Sequence, residues 1–579
     1  MRQRGSSLMS VATPLLRYSP RLGCLIAVSC VLGPRIAAAF PATDDLNPGI
    51  TADLPAPTES DLRHQLQLQS GGFGAAANGG GWTFTPALGA YEFYTDNVLA
   101  TATNRRWDLV TVVTPSLSIF GDEPNVQVNF SYSPQFRLDA TTPQENSVNQ
   151  QLAGTGLFTV IPDEVFLDVR AFAGVAPLQT GLGAQGATLN PTFTQTGTGP
   201  TGLSQQQLSQ DSSVSISPYV LHRFGDTGTA KVGYEINETS IAPSGSGIPL
   251  FFPSGSNSQH SLTNEAVAQF ETGERFAPFR NLLSLNVARS SGTGIANDQS
   301  QDTISNQLGY VVNRDWEVYG QLGYEKLNFG GVPPTRVDDM TWGFGAVWTP
   351  NADSQITLGY GHVNGVSGVQ LSAYYALTAR TRITASYTTG LQTNLGQIQG
   401  QLDLQALNQN GQAVDALTGA PQFNGINGFG NQNGLYQSKN FNASISTSLD
   451  RDQLAFTLAL SQQTTIATAT QVIPGQFNAI APPVGSTGQS ATAYLTWSHQ
   501  LNEDLSLNSS AAYGTNTITA PTGIGTGQQR SVAANVGLQY ALSQTVVTSV
   551  QYTFYEQFSP LPGQTIYQNV FLVGINKQF

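Results

Sequence analysis

The sequence predicts an all-β protein, a transmembrane antiparallel up-and-down β-barrel of about 22 strands, with roughly 18 to 24 as the range its strand boundaries allow. Three features predict it: an N-terminal export signal, short polar turns alternating with long loops between strands of period two, and a last strand ending on an aromatic ring. Charged residues make up 11% of the chain, against about 25% in ordinary soluble proteins. After the N-terminus no apolar run reaches the roughly 18 residues of a membrane helix, which excludes a helical bundle and fits alternating strands.

Residues 1–39 hold Arg2, Arg4, Arg17, Arg21 and Arg35, no acid, and the apolar stretch LGCLIAVSCVLG followed by AAA. This pattern predicts a secretory signal peptide cleaved between Ala39 and Phe40, with Ala37 and Ala39 supplying the small residues a signal peptidase needs. Both cysteines, Cys24 and Cys30, fall inside it, so no disulfide is expected in the mature chain. Removing five of the 24 basic residues leaves 19 against 37 acidic ones, a balance of about −18 that makes nucleic acid an unsuitable partner. Residues 40–81, rich in Pro, Gly and Ala, predict a flexible periplasmic N-terminal segment, and 82–579 the barrel.

Within 82–579, ten short polar segments separate alternating stretches. Six are sharp: Asn313–Asp315, Asn351–Ser354, Thr378–Thr381, Asp450–Asp452, Asn502–Asp504 and Ser543–Thr545. Four lie in the first half, at FGDEPN, VIPDEV, RFGDTGT and ETGERFAPFR. Asn, Asp, Ser and Thr at such places are hairpin chemistry. Between them run long Gly-, Asn-, Gln- and Thr-rich connections, including 176–210, 242–260, 393–437, 465–488 and 514–528. The asymmetry is that of a barrel with short periplasmic turns and long extracellular loops, and loops such as 176–210 and 393–437 are expected to fold inward as constrictions.

The strands carry two unlike faces. In SVAANVGLQYALS one parity is Val532, Ala534, Val536, Leu538, Tyr540 and Leu542, and the other holds Ser531, Asn535 and Gln539. A soluble sandwich shows the same alternation, but about twenty such strands need a continuous apolar partner, and lipid supplies one. Trp316, Trp348 and Trp497 lie close to tight turns, where an aromatic girdle meets the headgroup layer.

The last strand, IYQNVFLVGINKQF, puts Phe571, Val573, Ile575 and the terminal Phe579 on one face. It resembles the C-terminal signal by which the barrel assembly machinery recognises outer-membrane proteins, although Lys577 departs from the usual aromatic or apolar residue. That resemblance implies the assembly machinery and outer-membrane lipid as partners and the outer membrane of a Gram-negative bacterium as location. A second resemblance rests on WTFTPALGAYEFYTDNVLA, with Tyr94, Thr95, Asp96, Asn97 and Val98, followed by strands carrying Thr-Pro-Ser-Leu and Tyr-Ser-Pro. This part, about the first fifth of the barrel, resembles the outer-membrane β-barrel porin group that includes exosortase-associated proteins. It implies a link to exopolysaccharide systems and polysaccharide-export components, with no established reaction. Read locally, Thr95–Asp96–Asn97 is an Asx-type turn where a strand enters its loop.

No phosphate-binding loop, H-E-x-x-H or metal-type His/Cys cluster occurs, so no cofactor, metal or catalytic residue is assigned and no enzyme is expected. His222 and His499 adjoin tight turns, where an interfacial polar ring is ordinary. Asp338 and Asp339 are placed on an external loop with His362 as the lone candidate partner, the pattern of a solvated loop more than of a barrel hydrolase. The polar parity, rich in Ser, Thr, Asn, Gln and Gly with scattered Glu317 and Glu325, suits water and neutral polar solutes. The expected function is a porin or conduit for such solutes, with a loop-plugged scaffold barrel as the alternative.

Overall fold

The computed structural model describes residues 81–177, 208–243, 258–351, 353–407, 413–415, 433–469, 483–521, 525–560 and 565–579. Ala39, Phe40 and the segment up to residue 80 lie outside these.

Alternation of apolar and polar residues makes each segment a strand, and the short turns join the strands in pairs. The ten pairs closed at the short-turn end begin with Asp108–Glu123 and Val126–Tyr132, Leu152–Ile161 and Val165–Pro177, Leu208–Arg223 and Gly228–Pro243. Next come Gln259–Thr272 and Phe279–Gly292, Gln299–Asn313 and Trp316–Phe329, Thr335–Asn351 and Ser354–Val363, Val366–Thr378 and Thr381–Thr393. The last three are Gly434–Ser448 and Asp452–Thr468, Thr487–Gln500 and Leu505–Thr519, Gly525–Ser543 and Val546–Phe558.

Gly81–Thr95 precedes them and Ile566–Gln578 follows. Two staves are broken: Gln135–Asp139 continues Val126–Tyr132 along Asp108–Glu123, and Ser147–Asn149 leads into Leu152–Ile161. The 24 strand segments of the sheet are therefore 22 staves, and antiparallel pairing of Ala87–Thr95 with Val570–Gln578 closes the ring. Closure leaves no edge along that pairing for hydrocarbon to meet.

All ten expected turns are present, and their side chains do the work the sequence suggests. Asn313 Oδ1 accepts the N–H groups of Asp315 and Trp316, at 2.8 and 3.0 Å, and Asn502 Oδ1 those of Asp504 and Leu505, at 2.9 and 2.8 Å. Strands nevertheless run further outward than expected: 465–468, 514–519 and 525–528 are strand, not loop. Asp338 and Asp339 also lie in a strand, Thr335–Asn351, rather than on a loop. At the long-loop end one connection is itself tight, Asn364–Gly365 between Val363 and Val366.

The outward parity of the strands is apolar and open. Leu322 and Phe344 are 64% and 59% exposed, and Leu308, Leu358, Phe456, Leu495, Val536, Val550 and Val573 continue the belt round the ring. No helix of the described residues is long and apolar enough to cross a membrane, so strands do the crossing. A closed antiparallel barrel with such a belt is an outer-membrane protein, its short turns in the periplasm and its long loops outside. Charges of the outward parity, Arg289, Asp302, Lys326, Arg336 and Asp338, gather toward the outer ends of their strands, where ionised groups cost about 0–1 kcal/mol. Leu322 lies midway along its strand, so Leu322→Arg is expected to destabilise the barrel by roughly 2–4 kcal/mol. Denaturant titration of folding into vesicles reads this directly; an unchanged midpoint would place Leu322 away from the hydrocarbon.

Candidate functional site

The inward parity builds a polar wall. On Leu208–Arg223, Ile216 and Val220 face out, whereas Ser213, Ser215, Ser217 and Tyr219 are buried inside. Its neighbour Gly228–Pro243 adds Lys231, Glu235, Asn237 and Thr239, all buried. Hydroxyls and amides satisfy one another: Ser213 Oγ and Thr239 Oγ1 stand 2.9 Å apart, and Thr239 donates to Asn237 Oδ1 at 2.8 Å. Two ion pairs are each closed within a single strand. Arg137 donates to both oxygens of Asp139 at 2.8 Å, and Arg170 lies 3.1 Å from Asp168, each residue 5% exposed or less. Such two-residue spacing puts both partners on one face of a strand. Glu235 accepts the Ser215 hydroxyl at 2.8 Å, and the Lys231 ammonium lies over the Tyr219 ring at 4.7 Å. Glu317 is 3.5 Å from Arg280. The wall thus offers hydroxyls, amides and internally paired charges.

Three chains cross the outer mouth. The connection after Thr381–Thr393 becomes a helix, α1, Asn394–Leu404. It packs on Val165–Pro177, Leu208–Arg223, Gly228–Pro243 and Gln259–Thr272, nearly half-way round the ring from the strand that launches it. Leu395 and Ile398 are buried there with Ile241 and Ala296, so the expected inward fold of this loop is observed over α1. A second crossing joins the connections after Phe279–Gly292 and Trp316–Phe329 to the far strand Asp452–Thr468. Val332 N–H donates to Thr468 O at 2.8 Å, and Val332 O accepts the Thr468 N–H at 3.1 Å. Ile295, Leu327, Phe329, Leu435 and Ala467 form the apolar contact beneath. Gly331, at φ 102°, fits only as glycine, because a Cβ would lie 2.3 Å from Ile295 Cδ1 and 2.7 Å from Thr468 O. In the third, Ala100 of the first loop is buried with Leu208, Ala533 and Tyr555, linking strands from two sides of the mouth.

Tyr94–Val98 holds the seam. Asp96 accepts the Asn569 N–H and Nδ2–H at 2.8 and 2.7 Å. Asn97, fully buried, donates Nδ2–H to Tyr567 O and Thr101 O at 2.9 and 2.8 Å, and accepts Thr101 N–H at 3.1 Å. Gln568 Nε2 donates to Thr95 Oγ1 and Asn97 O, at 3.1 and 2.8 Å. Val98 is buried with Tyr91, Phe93, Val570 and Leu572, while Tyr94 faces out and stacks on Trp107. The Asx-type bond to Thr101 is present, but most of the network joins the first strand to the last.

Phe571, Val573, Ile575 and Phe579 are all exposed on the outward face, and Lys577 Nζ sits 5.0 Å over the Phe579 ring. Trp316 and Trp348 pair in register and stack at 5.8 Å near the periplasmic end. Trp497 donates Nε1–H to Asp452, which also meets His499 Nδ1 at 2.7 Å. Asp338 takes the Tyr324 hydroxyl, whereas Asp339 lies 3.1 Å from His362 Nε2. Among the described residues no group of His, Cys, Asp and Glu is arranged to hold a metal ion.

No protein-family model and no curated protein sequence matches the chain. Among solved structures it is similar to the FrpB iron transporter from Neisseria meningitidis, at 10% identity and TM-score 0.45, over 89% of this chain and 84% of that one. It is also similar to the ferric-catecholate import receptor Fiu from E. coli K12, at 11% identity and TM-score 0.42, over 85% and 81%. A third is the siderophore receptor PiuA from Acinetobacter baumannii, at 10% identity and TM-score 0.42, over 85% and 82%.

Proposed function

We propose that this barrel is an outer-membrane conduit for neutral polar solutes, held closed at its outer mouth by α1 and the crossing loops. The observation that carries it is the lumen wall, whose hydroxyls and amides match the hydrogen-bonding groups of sugars and whose charges are largely compensated. A wall of this kind gives an ion little fixed charge to select for and a polyol many exchangeable partners. Carbohydrate related to exopolysaccharide is the solute class that the resemblance around Tyr94–Val98 adds, with polysaccharide-export components as partners. Under this reading Phe571, Val573, Ile575 and Phe579 present the assembly signal, and Trp316, Trp348 and Trp497 the periplasmic girdle.

The chains crossing the mouth favour a second reading, a barrel kept permanently shut that anchors a surface or periplasmic assembly. Liposome swelling in graded neutral sugars separates the two when run on the intact protein and on a form whose α1 is undocked by Leu395→Asp with Ile398→Asp. A conduit admits small sugars faster than anions of like size once α1 is released. Sealed vesicles with both forms would leave the anchoring role.

A further inference from the structure

We propose that Ser367, His362 and Asp339 form a serine esterase centre at the outer rim of the barrel, acting on acyl esters presented from the outer leaflet. Ser367 Oγ and His362 Nδ1 are 2.8 Å apart, and His362 Nε2 and Asp339 Oδ2 are 3.1 Å apart. Nucleophile, base and orienting carboxylate therefore stand in hydrogen-bonded order, drawn from three consecutive strands. Asp339 accepts Nε2–H, which fixes the tautomer that leaves the Nδ1 lone pair for the serine O–H.

The hairpin that carries Ser367 is built to a definite shape. Val363 and Val366 close on Asn364 and Gly365, whose φ angles of 56° and 68° are those a type I′ turn requires. The buried Glu325 carboxylate pins the tip, accepting the Asn364 and Gly365 N–H groups at 2.9 and 2.8 Å. In such a hairpin the closing pair exchanges its own backbone bonds, so the next residue, Ser367, points its N–H toward the following strand, Thr381–Thr393. Register pairing with that strand starts at Leu371 opposite Tyr387, beyond Ser367. The Ser367 N–H is the donor beside the nucleophile that the proposal assigns to the developing oxyanion.

The surroundings indicate the substrate class. His362 stacks at 14° on Trp342, and one register step toward the membrane Tyr360 and Val369 stand opposite each other on the exposed face beside Phe344. An acyl chain lying on this apolar strip brings its ester to the level of Ser367, on the boundary where the outward charges begin. In the reaction Ser367 Oγ bonds to the carbonyl carbon as its proton passes to His362 Nδ1. The oxyanion collapses, the ester C–O bond breaks, and the leaving alcohol takes the proton from His362. Water, deprotonated by the same nitrogen, then releases the carboxylic acid and restores the serine. Ser367 and His362 are the catalytic residues; Asp339 positions the imidazole.

The test is phosphonylation of the folded full-length mature protein by a fluorophosphonate probe, in detergent and in lipid vesicles, with the labelled peptide identified by mass spectrometry. Heat-modifiable gel migration verifies folding of every form. Labelling is expected at Ser367, abolished by Ser367→Ala and His362→Ala and retained by Ser372→Ala on the same strand. Asp339→Asn is expected to slow labelling at least tenfold at the same serine, and Asp339→Glu to recover part of the rate. Hydrolysis of a p-nitrophenyl acyl ester should fall with the same variants. A folded wild-type barrel that stays unlabelled in both media, or is labelled at another serine, overturns the assignment.

Discussion

Asn97→Ala is expected to reduce the stability of the closed barrel by roughly 2–4 kcal/mol and to lower the yield of folded, heat-modifiable protein. The side chain is fully buried and serves three backbone groups, of Tyr567 and Thr101, one of them 470 residues away in sequence. Alanine leaves these groups without their partner, and each buried group so stranded costs about 1–3 kcal/mol. The site also lies at the junction that joins the first strand to the last and so closes the ring. Glycines make room for it: a Cβ on Gly574 would lie 2.2 Å from Tyr91 Cδ1 across the same seam. Denaturant unfolding in vesicles, comparing Asn97→Ala with Asn97→Asp and wild type, measures the effect. An unchanged midpoint for Asn97→Ala would show that the strand ladder alone closes the ring.

The second large effect is on conduction. Leu395→Asp with Ile398→Asp puts two carboxylates into the apolar contact with Ile241 and Ala296. Burying an unpaired carboxylate costs far more than that contact supplies, so α1 leaves its dock. Single-channel conductance in planar bilayers is expected to rise several-fold, with barrel stability little changed because no ladder bond is touched. Equal conductance in both forms would mean that α1 does not limit the path. The crossing through Val332 and Thr468 would then be the constriction.

Much of this was legible from local chemistry. Asn313, Asn351, Asn502 and Ser543 announce their turns because a short side chain that caps the next backbone N–H groups needs no tertiary help. Strand count followed from the turns, and the inward fold observed over α1 from the width of the ring. Alternation failed as a guide where both faces are polar. Residues 525–528 continue their strand on Gly, Thr and Gln, so no apolar parity marks them. Asp338 was misplaced for a related reason: at the headgroup level the outward face itself carries Arg336 and Asp338, and the apolar period ends before the strand does. Asn364–Gly365 is a hairpin signal in its own right, masked by the expectation that every outer connection is long. The seam network and the meeting of Ser367, His362 and Asp339 depend on register between strands, which no local pattern encodes. Asp339 and His362 were already adjacent as candidates, but Ser367 carries no mark in sequence.

The central claim is that a polar lumen is gated at its outer mouth by docking of α1. Its most direct test introduces Ile241→Cys and Leu395→Cys into residues 40–579, which contain no cysteine, and joins them with a reductant-cleavable bifunctional thiol reagent. Single-channel current is then followed through cleavage of the linker in the same bilayer. A locked barrel with little or no conductance, and open steps after cleavage, is the expected result. Currents of equal size and frequency before and after cleavage would contradict it.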